Sequence, residues 1–186
     1  MSTEPTDKEL IAQFKQASQK QAAFRLLLQR YSRKTYWHVR RIVISHDDAD
    51  DVVQNTFIKV WEKLDSFRED SQFYTWLYRI ATNEALAFLQ KKKSNLTSSM
   101  EGFQDQLGEK LVAETYFNGN KVELLLQQAI LTLPEKQRLV FNMKYYENLK
   151  YEEMEAILGT SVGALKASYH IAVKKIEEIL KKSLNQ

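Results

Sequence analysis

The sequence predicts an all-α protein made of two small helical domains joined by a flexible linker. Its 186 residues include only five glycines and two prolines, so few positions can interrupt a helix. No glycine or proline stands between Pro5 and Gly102, which leaves room for long helices. On both sides of a glycine-rich stretch, apolar residues recur at three- and four-residue spacing, which is typical of amphipathic helices.

The composition excludes several classes of protein. The chain has no cysteine, which rules out a disulfide scaffold, a thiolate metal site and a cysteine nucleophile. The net charge of +3 is too small to indicate nucleic-acid binding by itself. The N-terminus lacks the pattern of a signal peptide, and no apolar stretch is long enough to cross a bilayer. We therefore expect an intracellular protein without direct membrane insertion.

The positions of the helix-breaking glycines indicate where the linker lies. Three of the five glycines fall between Glu101 and Asn120, and a polar run precedes them. Such a cluster is typical of a connecting segment. We predict a first domain over residues 1–93, a linker over 94–120 and a second domain over 121–186.

Four helices are predicted in the first domain. Thr6 and Glu9 form a capping-box pattern, a second helix spans about 19–44, and Ser45 marks a break. A fourth helix begins near Asp70 and runs to about Lys93. We expect the core to contain Leu26, Val53, Phe57, Trp61, Trp76 and Ile80.

Acidic residues begin the third helix, at Asp47, Asp48, Asp50 and Asp51. Negative charge in a first turn complements the helix dipole, and that explanation suffices for most such clusters. Two alternatives are a metal site, for which the spacing fits no calcium loop, and docking on a basic partner.

The fourth helix starts with four aromatic residues in six positions, Phe73, Tyr74, Trp76 and Tyr78. Neighbours on a helix point about 100° apart, so we expect some of these rings to be exposed. They are either part of a wide core face or a platform on which unpaired bases stack.

The second domain contains a helix-turn-helix pattern. A helix begins after Pro134, a short helix covers 151–158, Gly159 ends it, and Thr160 or Ser161 caps a longer helix. Two helices joined by a tight turn can be purely structural. The outer face of the longer helix instead favours DNA binding, because small residues and lysines suit a groove and its phosphates. We expect a core of Leu139, Phe141, Met154, Ile157, Leu165 and Ala172.

Together these segments closely resemble one family. The runs DADDVVQNTFIKVWEKLDSF and WLYRIATN resemble domain two of bacterial RNA polymerase sigma factors of the extracytoplasmic-function (ECF) group. LPEKQRLVFNMKYYENLKYEEMEAILGTSVGALKASYHIAVKKI resembles their domain four. The resemblance implies a cytoplasmic bacterial factor that binds core polymerase and directs promoter-specific initiation by recognising −35 and −10 elements and assisting DNA melting. It implies no enzyme activity, metal or cofactor.

The resemblance also implies partners and site residues. The residues that would contact the β′ clamp of core polymerase are Asp50, Asp51, Gln54, Asn55, Phe57 and Trp61. Those that would contact the −10 DNA are Phe67, Ser71, Phe73, Tyr74, Trp76, Arg79 and Asn83. Those that would contact the −35 DNA are Lys144, Lys150, Tyr151, Ser161, Gly163, Lys166, Ala167, His170 and Lys174. Domain four would also sit on the β flap, and an anti-sigma protein is a further candidate partner.

Three departures separate this chain from the family pattern: Asn55 where glutamate is common, Lys166-Ala167-Ser168 where arginines are common, and no acidic-x-x-arginine pattern after Asn83. Three other classes remain as alternatives. A conventional dimeric helix-turn-helix regulator would not need the aromatic helix. An enzyme is disfavoured because His38, His46 and His170 are scattered. A module that sequesters a sigma factor would not need both DNA-reading parts.

Overall fold

The described part of this computed structural model covers residues 4–95 and 121–184. Within those ranges the chain forms helices joined by turns and loops, with no strand, which confirms the all-α prediction. The α-helices are α1 (Asp7–Phe14), α2 (Lys20–Val43), α3 (His46–Lys63), α4 (Phe73–Asn95), α5 (Lys121–Leu131), α6 (Glu135–Tyr145), α7 (Tyr151–Leu158) and α8 (Val162–Leu184). A 3₁₀ turn, Leu64–Ser66, follows α3. The predicted linker lies outside the described residues except for its first two positions.

The helices of the first module begin close to where the sequence predicts. Thr6 and Glu9 form the capping box at α1, and the Ser45 hydroxyl accepts from the Asp48 amide at 3.5 Å to cap α3. The fourth helix starts at Phe73 rather than near Asp70, because the chain between the 3₁₀ turn and α4 is extended and bent.

Helices α1 to α4 enclose an apolar core centred on aromatic rings. The ring of Trp61 lies edge-on to Phe14 at 5.1 Å and to Phe24 at 5.0 Å between centroids. Of the predicted core residues, Phe57 is buried, and four others pack partly buried against the core: Val53, Trp61, Trp76 and Ile80. The prediction for Leu26 is wrong, since its side chain is 41% exposed. Ala23 and Leu27 occupy the inward face of α2 instead.

Helices α5 to α8 form the second module, and its predicted core is confirmed. All six predicted residues are buried: Leu139, Phe141, Met154, Ile157, Leu165 and Ala172. Gly159 ends α7 in the left-handed conformation with φ of 65°, and the Ser161 hydroxyl accepts from the Ala164 amide at 3.4 Å. Helices α7 and α8 are therefore the predicted helix-turn-helix.

The two modules are in direct contact. Helix α7 packs against α4, and α6 touches α2. A single apolar cluster runs through both modules and includes Leu77 of α4 together with Met154 and Ile157 of α7. In the described ranges, no helix combines the length and apolar character needed to span a membrane.

Candidate nucleic-acid interface

Helix α8 separates an apolar side from a basic side. Leu165, Ala172 and Ile176 are buried against the module. The residues predicted to meet −35 DNA are exposed along the other side: Lys166, Ala167, His170 and Lys174. Their spacing places them on successive turns of one helix, so the helix presents two ammonium groups, an imidazole and a small residue to solvent. Ser161 and Gly163 are exposed at its N-terminal end.

Two lysines are held together at the edge of the helix-turn-helix by one aromatic ring. The Nζ atoms of Lys144 and Lys166 lie 5.2 Å and 5.7 Å from the centroid of the Tyr151 ring. Lys144 Nζ also donates to the Leu149 carbonyl at 3.0 Å. Lys150 beside this cluster is exposed. The arrangement gathers positive charge from α6, from Lys150 just before α7 and from α8 at one site, which suits a phosphate backbone.

The aromatic residues of α4 are less exposed than expected. Phe73 and Tyr78 are 4% and 6% exposed, and Tyr74 and Trp76 are half-buried. Two of the four rings are partly exposed and none fully, because the first module covers one side of α4 and α7 covers another. Burial, together with a hydrogen bond to the Glu153 carboxylate, raises the pKa of Tyr74 to about 12.

A depression of about 370 Å³ lies at the start of α4. It brings together four residues predicted to meet −10 DNA, namely Phe67, Ser71, Trp76 and Arg79. The Phe67 and Trp76 rings stand 5.0 Å apart between centroids, and Phe67 is itself buried. The depression therefore offers one partly open indole beside a guanidinium, a pairing suited to an unstacked base and its phosphate.

Two further residues complete this area. Asn83 is exposed one helical turn beyond Arg79, outside the depression. Arg68 lines the depression and was missed by the sequence reasoning. Its exposed side chain reaches the Asp70 carboxylate at 3.2 Å. The available signal was a cationic residue directly after Phe67 in a segment already assigned to DNA.

Helix α3 exposes the polar part of the predicted polymerase-binding set and buries the aromatic part. Four side chains are exposed: Asp50, Asp51, Gln54 and Asn55. Phe57 is 7% exposed and Trp61 is partly buried in the aromatic core, so these two support the surface from beneath. Asp48 pairs with Lys92. In the described ranges, no three histidine or acidic side chains converge as a metal site.

Comparison with known proteins decides the family. The family models for Sigma-70 region 2 and Sigma-70, region 4 match residues 27–95 and 123–176. The ECF RNA polymerase sigma-E factors of Salmonella typhimurium and Escherichia coli K12 are 36% identical over 185 residues, covering 95% of this chain and 95% of theirs. The chain belongs to the ECF group of RNA polymerase sigma factors. The Haemophilus influenzae sigma-E factor is 32% identical over 95% of this sigma factor and 96% of its own length.

Solved structures share the fold of this sigma factor. CnrH, in complex with the cytosolic domain of CnrY, matches with a TM-score of 0.69 and 26% identity over 95% of this chain and 97% of CnrH. RpoE of Bartonella quintana, in complex with the anti-sigma factor NepR, matches with a TM-score of 0.67 and 23% identity over 85% and 96%. As a sigma factor, the protein belongs to a family of transcription initiation factors: it binds core RNA polymerase and promoter DNA and directs promoter-specific transcription.

Proposed function

We propose that this sigma factor divides promoter recognition between its two modules. Residues 1–93 bind core polymerase, recognise the −10 element and assist melting, residues 94–120 connect the modules, and residues 121–186 recognise the −35 element. The observation that carries the proposal is that each module has its own surface of matching chemistry. A basic helix face lies on α8, and an aromatic and cationic depression lies at the start of α4.

The −35 element is a duplex, and the α8 face suits a duplex. An α-helix fits the major groove, and helix-turn-helix proteins place their second helix there. Ala167 lets the helix backbone approach the base edges closely, while Lys166 and Lys174 reach bases or phosphates. Lysine acts as a point charge, whereas arginine grips guanine in a bidentate manner. The −35 sequence read by this chain therefore differs from one read by arginine.

The −10 element must be opened, and the α4 surface suits unpaired bases. Capturing an extruded base offsets part of the cost of unstacking it. Trp76 offers a ring face, Arg79 and Arg68 offer cations, and Asn83 offers a carboxamide that can pair with a base edge. Asn83 lies one turn along α4 from Arg79, so one flipped base and the adjacent phosphate could be held by the same helix.

Core polymerase binding is assigned to α3. Asp50 and Asp51 supply negative charge, and Gln54 and Asn55 supply amides, on one exposed surface. Such a surface fits a basic partner, here the β′ clamp, and steers its approach electrostatically. Phe57 and Trp61 keep α3 in place against the core. The helix-turn-helix module sits on the β flap in the same complex.

Regulation by an anti-sigma protein is part of the proposal. Both structural relatives were solved with a bound partner, the cytosolic domain of CnrY and the anti-sigma factor NepR. Their shared fold supports an equivalent partner for this chain. Because core polymerase and the chromosome are its working partners, we place the protein in the bacterial cytoplasm.

The test is transcription by purified core polymerase on a pool of upstream fragments from the source genome, with and without the protein. Discrete start sites that need both components support the proposal, and the sequences upstream of those sites give the −10 and −35 elements. Specific duplex binding by the protein alone, with no core-dependent transcripts, would overturn it in favour of a conventional helix-turn-helix regulator.

A further inference from the structure

One large apolar side chain is exposed on the outer side of α8. Ile171 is 44% exposed, and the next residue, Ala172, is fully buried. Neighbouring residues on a helix point about 100° apart, so Ile171 faces away from the core of the second module. It has no role in the contacts assigned above, yet it stands directly beside His170, which we assign to −35 DNA.

Ile171 continues a ridge of small apolar residues along α8. Ala164, Ala167 and Ile171 are spaced by three and four positions and are all exposed, so they lie along one face of the helix. A single exposed isoleucine needs no explanation. An apolar ridge on the second helix of a helix-turn-helix does, because this is the helix that enters the major groove. The apolar surface then loses its water to the partner that fills the groove side.

The charges around the ridge favour DNA over a protein as its partner. Between Val162 and Ile176, α8 carries three lysines and a histidine and no acidic residue. The next acidic residue, Glu177, comes six positions after Ile171, which is about 9 Å along the axis. Positive charge on both sides of the ridge attracts the phosphates that border a major groove.

The major groove offers one group that suits an isoleucine. Among the four bases, only thymine carries a methyl group at its major-groove edge, and apolar side chains contact it. Lys174 lies one helical turn beyond Ile171 and is exposed, so an ammonium donor stands beside the apolar side chain. Thymine presents the matching pair, its O4 acceptor next to the methyl group, whereas cytosine presents an amino donor and no methyl group.

The position of Ile171 along α8 also suits contact with bases. Ile171 lies five residues beyond Lys166, about 7.5 Å along the axis, and the major groove is about 12 Å wide. The two alanines of the ridge let the helix backbone lie close to the base edges. Resting on the proposed function, we infer that Ile171 packs against the methyl group of a thymine in the −35 element and thereby makes this sigma factor selective for thymine at that position.

The contact determines specificity more than affinity. Burying one methyl-sized group changes a dissociation constant about fourfold. The lysines of α8 and the contacts of the first module remain when this contact is lost, so the holoenzyme still assembles at the promoter.

The first test removes the methyl group from the DNA. The probe is a promoter identified by transcription with core polymerase, in which each thymine of the −35 element is replaced in turn by deoxyuridine, which lacks only the methyl group. We expect the natural holoenzyme to bind about fourfold more weakly when one of these thymines is replaced. The Ile171→Ala holoenzyme should bind the unmodified promoter about fourfold more weakly and be insensitive to the same replacement. Equal sensitivity of the two holoenzymes at every thymine overturns the inference.

Two further variants control for the truncation itself. Ile171→Val keeps a branched apolar side chain and should retain most of the sensitivity to deoxyuridine. Leu26→Ala is the matched control, because Leu26 is 41% exposed but lies on α2, so the sensitivity should not change. Affinity for core polymerase should be unchanged in Ile171→Ala. A loss of that affinity, with the sensitivity to deoxyuridine intact, would assign the ridge to the polymerase and overturn the inference.

The second test adds a methyl group to a different base. The thymine–adenine pair found in the first test is replaced by cytosine–guanine or by 5-methylcytosine–guanine. We expect the added methyl group to strengthen binding by the natural holoenzyme about fourfold and to leave binding by the Ile171→Ala holoenzyme unchanged. Equal binding of both DNAs by the natural holoenzyme overturns the inference.

Scrambling the whole −35 element separates this inference from the proposed function. If the scrambled promoter binds as tightly as the natural one, the second module does not read the −35 element, and the proposed function and the inference both fail. If scrambling weakens binding but no methyl group matters, the proposed function stands and the inference alone fails.

Discussion

Lys166→Ala tests whether the N-terminal part of α8 reads the −35 element. Lys166 is the fifth residue of α8 and is exposed, so its truncation should change the free energy of unfolding by no more than about 0.5 kcal/mol. Losing one lysine contact with DNA is expected to weaken promoter binding about tenfold, or about 1.4 kcal/mol. If the contact is to a phosphate, the slope of log affinity against log salt falls by about 1.

Lys181→Ala is the matched control. Lys181 is also exposed on α8, but it lies 15 residues further along, which is about 22 Å along the axis. The major groove is only about 12 Å wide, so a helix that enters by its first turns leaves Lys181 outside. The assay is promoter binding by the reconstituted holoenzyme over a salt series. Equal losses for the two variants would refute the placement of α8.

Three other predictions follow from single residues. Asn83→Ala should reduce promoter opening about tenfold and leave the affinity for core polymerase unchanged, since Asn83 is exposed. Permanganate footprinting of unpaired thymines measures the opening. An equal loss of core binding would count against a base-contacting role. Gly159→Ala should lower the free energy of unfolding by about 1 kcal/mol, because φ of Gly159 is +65°. Gly163→Ala should raise the free energy of unfolding by about 0.5–1 kcal/mol. Thermal unfolding shows whether the two shifts have opposite signs. Burial raises the pKa of Tyr146 to about 12, above the value near 10 of an unfolded tyrosine. The unfolded chain then loses this proton first, so stability is complete below about pH 10 and falls toward pH 12; Tyr146→Phe should flatten this fall in urea titrations, and an unchanged slope would contradict the assignment.

Local features of the fold were predictable because nearby residues determine them. A threonine three residues before a glutamate defines a capping box, and a glycine after an apolar helix favours a left-handed end. Both occur where predicted, at Thr6 and Gly159. The core of the second module was equally accessible, since its residues follow helical spacing from Leu139 onward.

Features that depend on contact between the modules were not predictable. Nδ1 of His38 lies 2.9 Å from Oε1 of Glu147, yet the two residues are 109 positions apart in sequence, and no local pattern connects them. The same contact explains why the rings of α4 are more buried than expected: the second side of this helix is covered by α7, not by solvent. Leu26 is apolar, but it points about 100° away from Leu27 around the helix axis. Ala23 and Leu27, which are four residues apart, occupy the inward face of α2.

The chemistry of the candidate site was predictable from the sequence, but the exposure of its side chains was less predictable. The basic side of α8 is where the helical spacing places it, with Lys166 and His170 open to solvent. The burial of Phe57 was predicted from its place in the core pattern, but spacing alone did not reveal that Arg68 joins the depression. The position of Arg68 depends on how the chain runs from the 3₁₀ turn to α4.

The most direct measurement is DNA cleavage from a reagent tethered at one cysteine, because the natural chain offers no competing thiol. Ala87→Cys lies one turn beyond Asn83 on α4, Ile171→Cys adjoins His170 on α8, and Lys8→Cys on α1 is the control; all three positions are exposed. In the complex with core polymerase and a promoter, an iron chelate at residue 87 should cut near −10, one at residue 171 should cut near −35, and one at residue 8 should cut neither element. Cleavage near −35 from residue 87, or near −10 from residue 171, would contradict the division of promoter recognition between the two modules.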